Sequence, residues 1–116
     1  MTLEGALDAA VEGDRVAFTF TVTNDGDEPV ELEFRDSGKA DITIREGDGS
    51  DGTGAERWRW SDGRMFAQVI QHETLAPGET AAYGFEWPDP VPGSHAARAT
   101  LRAHGHDCEA RTEFSV

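Results

Sequence analysis

The chain is short of cysteine, of lysine and of long apolar runs, and each shortage excludes something. Cys108 is the only cysteine among 116 residues, so no intrachain disulfide can form. No stretch approaches the ~18 apolar residues of a membrane helix. Residues 1–15 lack both a basic start and an apolar run, so no secretory signal is read there. Positive charge is scarce: 10 Lys and Arg face 23 Asp and Glu, and Lys39 is the only lysine. The formal net charge of -13 repels phosphate, which argues against DNA, RNA and anionic membranes as partners. These features together place the protein in the cytoplasm. The acids are spread between apolar residues instead of forming a tail, so the chain reads as a folded, acidic, halophilic protein tuned to a high-salt cytoplasm.

What is present is a period of two. Val16, Phe18, Phe20 and Val22 alternate with small polar residues, as do Val30, Leu32 and Phe34 with Glu31 and Glu33. A segment with this alternation is a half-buried strand. Asn24 to Pro29 is a turn, so the first two strands form a hairpin or a corner between sheets. Ile42 and Ile44 mark a third strand, and Trp58 and Trp60 a further one ended by the tight turn Ser61-Asp62-Gly63. Met65 to Gln71 carries apolar residues on both parities, which predicts a strand buried on both faces or one with a bulge. Pro77-Gly78 suits a type II turn, since Pro presets φ and Gly accepts φ > 0. Tyr83, Phe85 and Trp87, then Ala97 to Ala103, then Ala110 to Val116 alternate again. Leu3 to Val11 is an edge strand or a short helix. The loop 46–56 is glycine-rich and acidic and is expected at the surface.

Strands at this spacing predict an all-β, immunoglobulin-like antiparallel sandwich of seven to eight strands, one domain over residues 1–116. Its expected core contains Val16, Phe18, Phe20, Leu32, Phe34, Trp58, Trp60, Phe85, Leu101 and Phe114.

Signs of chemistry are weak. His104, His106 and Cys108 form His-x-His-x-Cys, which lacks the spacing of a zinc site and falls where a hairpin turn is expected. The acidic loop fails the calcium-loop pattern: counted from Asp48, position 6 is Thr53, and counted from Glu46 it is Asp51. Ser37, Ser50, Ser61, Ser94 and Ser115 sit in turns or at the terminus, none within G-x-S-x-G. The reading is no catalytic residue, no metal, no cofactor and no enzyme. The most distinctive run is residues 58–66, where two Trp, two Arg and a Phe fall in nine positions. This composition is that of an interaction hot spot, although alternation alone would put the Trp rings in the core.

Four pieces of the chain resemble the BsuPI-type intracellular proteinase inhibitors. They are Phe18-x-Phe20-x-Val22-Thr23-Asn24, Val30-x-Leu32-x-Phe34, the run from Trp58 to Gln68, and Leu75-x-Pro77-Gly78-Glu79 with Trp87. The likeness runs from about Arg15 to Leu101, and Trp58-x-Trp60-Ser61-Asp62-Gly63-x-Met65-Phe66 is its specific part. It implies an immunoglobulin-like sandwich and, for the family's namesake, inhibition of a cytoplasmic serine protease. Two departures stand out: His95 replaces an expected Tyr after Pro92-Gly93, and the loop 46–56 is long and acidic. The resemblance carries over no inhibitory bond. The expected partner is a cytosolic serine protease, met by a monomer or weak homo-oligomer. Arg59, Ser61, Asp62, Gly63 and Arg64 are the candidate protein-binding residues, and Arg64 is acceptable to a trypsin-like or broad subtilisin-like cleft. The alternative is a non-inhibitory immunoglobulin-like interaction or scaffold module.

Overall fold

Alternation becomes strand wherever one parity finds a core. The computed structural model describes residues 3–35, 38–47 and 55–116. The elements along them are β1 (Leu3–Glu12), β2 (Arg15–Asn24), β3 (Val30–Phe34), β4 (Ala40–Glu46), β5 (Glu56–Arg59), β6 (Gln71–Leu75), β7 (Thr80–Pro88), β8 (Ser94–Leu101), β9 (Ala103–His104) and β10 (Glu109–Ser115). Among the described residues there is no helix, and so none long and apolar enough to cross a membrane.

One antiparallel sheet has the order β1-β2-β7. Phe18 and Phe20 of β2 lie opposite Phe85 and Tyr83 of β7, while Leu7 of β1 lies opposite Phe20. The opening segment, left between strand and helix by its sequence, is thus an edge strand. It joins β2 through the two-residue turn Gly13-Asp14, with Gly13 at φ 53°.

The other strands form two ladders, β10-β8-β4-β5 and β6-β3-β9. They follow the same runs of chain. Ala40 pairs with Leu101 and Phe34 with Ala103, so β4 and β3 accompany β8 and β9 in turn. At the break, Arg102 donates its backbone N–H to Lys39 O (2.9 Å) and its Nη1 to Gly38 O (3.0 Å). On the other flank, β5 pairs with β4 and β6 with β3. β5 and β6 are therefore two pieces of one edge, and residues 61–70 cross between them. This interruption, invisible in the sequence, positions the candidate site.

The two layers share one core, from Leu3 and Leu7 through Phe18, Phe20, Leu32, Phe34, Ile42 and Ile44 to Trp87 and Leu101. Phe18 meets Phe114 edge-on across the layers at 5.4 Å, and Trp60 meets Phe85 likewise at 5.1 Å. The architecture is the all-β immunoglobulin-like sandwich expected from the period of two. At the closed side the backbone of β1 comes close to β10: a Cβ on Gly5 would stand 2.9 Å from Glu109 O and 3.0 Å from Cys108 Sγ. Only glycine fits there.

Two expectations need correction, and a third is not tested. Trp58, Trp60 and Phe114 are half-buried instead of core, because Trp58 and Phe114 lie on the edge strands β5 and β10 and Trp60 directly follows β5; their rings lean on Trp87, Phe18 and Phe85 from the edge. Met65 to Ile70 is not a strand: residues 64–70 lie in no regular element, and β6 begins only at Gln71. The acidic loop falls mostly on residues 48–54, outside the described residues.

Burial pushes the phenol of Tyr83 up to about 12, with Glu73 and Cys108 adding smaller contributions, and its hydroxyl has no hydrogen-bond partner among the described residues. A raised pKa means the native state keeps a proton that the unfolded chain releases near pH 10. The associated stability is whole below pH ~10 and is lost as pH rises toward about 12. Tyr83 is the only tyrosine, so ultraviolet difference absorbance reports it directly. The phenolate is expected to appear near pH 12 in native protein and near 10 in urea; coincident curves would contradict the burial.

Candidate functional site

The site grows from the end of β5. Trp60 N–H donates to Ile42 O (3.0 Å), the last bond to β4 before the chain turns away. Asp41 then holds the turn from its side. Its Oδ1 accepts from Ser61 N–H (3.1 Å) and its Oδ2 from the Ser61 hydroxyl (2.6 Å). Asp62 N–H donates to Arg59 O (3.1 Å) and Arg64 N–H to Ser61 O (3.2 Å), with Gly63 at φ 75°. The left-handed backbone at that position explains the glycine in Ser61-Asp62-Gly63.

Each expected residue has a definite place. Arg59 donates from Nη2 to Glu56 Oε1 (2.8 Å), and that bond holds the Glu56 carboxyl below its ordinary value. Ser61 is fastened to Asp41, so its hydroxyl braces the turn. Asp62 and Gly63 are exposed at the tip. Arg64 folds back: Nε donates to Trp60 O (2.7 Å) and the guanidinium lies 4.4 Å over the Trp60 ring.

Sequence reasoning missed a run of exposed apolar residues just beyond this turn. Met65 is 98 % exposed, Val69 48 % and Ile70 65 %, three large apolar side chains within six positions. Between them Phe66 is held. Its ring packs on Trp60 at 5.7 Å and beneath the Arg102 guanidinium at 5.0 Å. A Cβ on Gly38 would come within 2.9 Å of it. The available signal was negative: apolar residues on both parities do not fit a strand with only one face to bury.

His104, His106 and Cys108 do not converge. His104 is exposed and lies opposite Glu33, whereas Cys108 is buried beside Gly5. Burial raises the Cys108 thiol above its usual range. Among the described residues no three His, Cys, Asp or Glu side chains form a group able to hold a metal. His95, the departure noted after Pro92-Gly93, is buried in an aromatic slot. It stands edge-on to Trp87 at 5.0 Å, near Phe114 at 5.4 Å, with Nε2 2.7 Å from Val91 O.

Solved structures share the fold at low identity. A β-glucosidase from Kluyveromyces marxianus matches 99 % of this chain at 14 % identity and TM-score 0.55, the match covering 14 % of the enzyme. The β-glucosidase 3B of Thermotoga neapolitana matches 99 % at 16 % identity and TM-score 0.55, covering 16 % of that chain. The chain thus spans about a seventh of such enzymes, and the likeness concerns fold alone. The CARDB domain of a Pyrococcus furiosus protein matches 99 % at 15 % identity and TM-score 0.53, covering 94 % of that domain. No curated protein shows a significant match to the sequence. The family model described as BsuPI, intracellular proteinase inhibitor, matches residues 3–106, nearly the whole chain, and the protein belongs to that family.

Proposed function

We propose that the protein is a cytoplasmic inhibitor of a serine endopeptidase, a single domain that is itself no enzyme and needs no cofactor. Arg59, Ser61, Asp62, Gly63 and Arg64 lie at its contact surface. The observation that carries the reading is the match over residues 3–106 to a family of intracellular proteinase inhibitors. The turn adds physical support. A substrate-like inhibitor gains affinity when its contact segment is rigid before binding. Asp41 and Trp60 tie this turn to the edge of the sheet. The net charge of -13 argues for a protein target over nucleic acid.

The test is titration of cytosolic serine endopeptidases with the purified protein. Activity should fall with a stoichiometric break. If a large excess leaves every such enzyme active, the chain is a non-inhibitory interaction module. Asp41→Ala removes both bonds that hold Ser61 and should cost about 1–2 kcal/mol of stability. The loosened turn should also weaken inhibition roughly ten-fold. A stability loss with unchanged inhibition would place the contact elsewhere.

A further inference from the structure

We propose that Met65 is the side chain this protein inserts into the primary specificity pocket of its target, and that the target is an endopeptidase whose pocket is apolar and not acidic. The proposal rests on the inhibitory reading above and deepens it. Its first support is exposure. Met65 stands 98 % free in solvent, the most exposed large apolar side chain among the described residues. Val69 and Ile70 extend the same apolar footprint along the chain.

The second support is the clamping of both neighbours. Arg64 and Phe66 each rest on the Trp60 ring, at 4.4 Å and 5.7 Å, and Trp60 is wedged edge-on against the core residue Phe85. Phe66 is also covered by Arg102, which bonds to Gly38 O. Met65 therefore projects from a backbone fixed on either side, with its own side chain touching little. A specificity pocket needs a protruding residue on a segment that does not have to be ordered at the moment of binding.

The same clamps explain resistance to turnover. Suppose the target's serine oxygen bonds to the Met65 carbonyl carbon. The Met65–Phe66 C–N bond then breaks, and the serine proton ends on the Phe66 nitrogen. An ordinary substrate would release that amine. Here Phe66 stays gripped by Trp60 and Arg102, so its nitrogen remains beside the ester. It re-forms the peptide bond as the ester C–O bond breaks, and the proton returns to the serine. Nothing is consumed.

The third support decides which residue is inserted. An acidic pocket would select Arg64, but its guanidinium is spent on Trp60 O and the Trp60 ring. Residues 63–72 contain no Asp or Glu, although the chain carries 23, so the segment does not bring like charge to an acidic cleft or bare carboxylates to an apolar one.

The test compares one broad endopeptidase with an apolar pocket and one with an acidic pocket. Each is titrated with the parent protein, Met65→Asp, Met65→Leu, Met65→Lys and Arg64→Ala, with melting temperatures recorded in parallel. The parent should inhibit the apolar-pocket enzyme and Met65→Leu should keep that inhibition. Met65→Asp should weaken it by about a hundred-fold or more, since an unpaired carboxylate is costly in an apolar pocket. Met65→Lys should shift inhibition toward the acidic-pocket enzyme. Melting temperatures should stay within a degree or two, because the side chain contacts solvent. If Met65→Asp inhibits as well as the parent, the inserted residue is another one and the inference falls while the inhibitory reading stands. Inhibition of the acidic-pocket enzyme that Arg64→Ala abolishes would overturn it in favour of Arg64. If the parent inhibits neither enzyme, nor any other serine endopeptidase, the inhibitory reading and this inference fall together.

Discussion

Replacing Asn24 by Leu is expected to remove about 3–5 kcal/mol of stability, a large part of what a domain of this size has. Asn24 closes β2 and is fully buried. Its Nδ2 donates to Leu75 O and to Glu28 O, both at 2.8 Å, and its Oδ1 accepts from Gly26 N–H at 2.9 Å. Its backbone is also engaged, N–H to Glu79 O (3.0 Å) and O from Gly78 N–H (2.8 Å). One side chain thus fastens the 24–29 turn to the Pro77-Gly78 turn. Gly78 sits at φ 81° and Glu79 N–H bonds back to Ala76 O (2.9 Å), as the type II geometry requires. Leucine has the same branched outline but is bulkier and has no polar atom. It would leave two carbonyls and an amide without partners, each costing about 1–3 kcal/mol where water cannot reach. The Leu75 carbonyl is the most enclosed of the three. The melting temperature should fall by roughly 15–25 °C, and urea denaturation should show a lower midpoint at unchanged slope. A loss under about 1 kcal/mol would mean that water replaces the amide and that the two turns are not coupled through it.

Stability is expected to rise by about 3–5 kcal/mol, or roughly 15–25 °C, between 0.01 M and 1 M KCl. The chain carries a net charge of -13 within extents of 43 × 29 × 27 Å. At 0.01 M the screening length is about 30 Å, so carboxylates repel across the width of the molecule; at 1 M it is about 3 Å, and only immediate neighbours interact. Salt also weakens favourable pairs, such as Arg57 with Glu46 (3.2 Å) and Arg59 with Glu56 (2.8 Å). Exposed pairs of this kind contribute ~0–1 kcal/mol each. With 23 acids against 10 bases, the excess negative charge outweighs them. Most of the gain should come below about 0.3 M, where screening acts, and level off beyond it. Melting temperatures that agree within a degree or two would refute self-repulsion and the high-salt reading with it. A gain that only begins above molar salt would point to exclusion of ions from apolar surface instead.

Legibility in the sequence followed how local each cause was. The alternation over Val16–Val22, Val30–Phe34 and Tyr83–Trp87 is a local property, and it became buried strand in β2, β3 and β7. The glycines of Ser61-Asp62-Gly63 and Pro77-Gly78 are equally local, and both adopt the positive φ that their motifs announce. Partners were not legible. Asn24 looks like an ordinary turn residue until Leu75, 51 positions away, meets its amide. Trp58 and Trp60 alternate like core residues, but Trp58 lies on an edge strand and Trp60 just past its end, so each ring is only partly covered. The five candidate residues from Arg59 to Arg64 were chosen by motif. The exposure of Met65 was not legible, because a methionine in a mixed apolar run looks buried unless it is known that the edge strand breaks at residues 61–70. At that break Phe66 packs under Arg102, which lies between β8 and β9 and bonds to Gly38 just before β4.

If this family member grips a serine endopeptidase through the segment bridging β5 and β6, hydrogen exchange on the inhibited complex should reveal it. Backbone amides of residues 59–70 should exchange markedly more slowly in the complex than in the free protein. Those of the β1–β2 turn at Gly13-Asp14 and of residues 89–93 should be unchanged. Protection confined to those other turns, with residues 59–70 exchanging as fast as in the free chain, would contradict a contact made by the bridging segment.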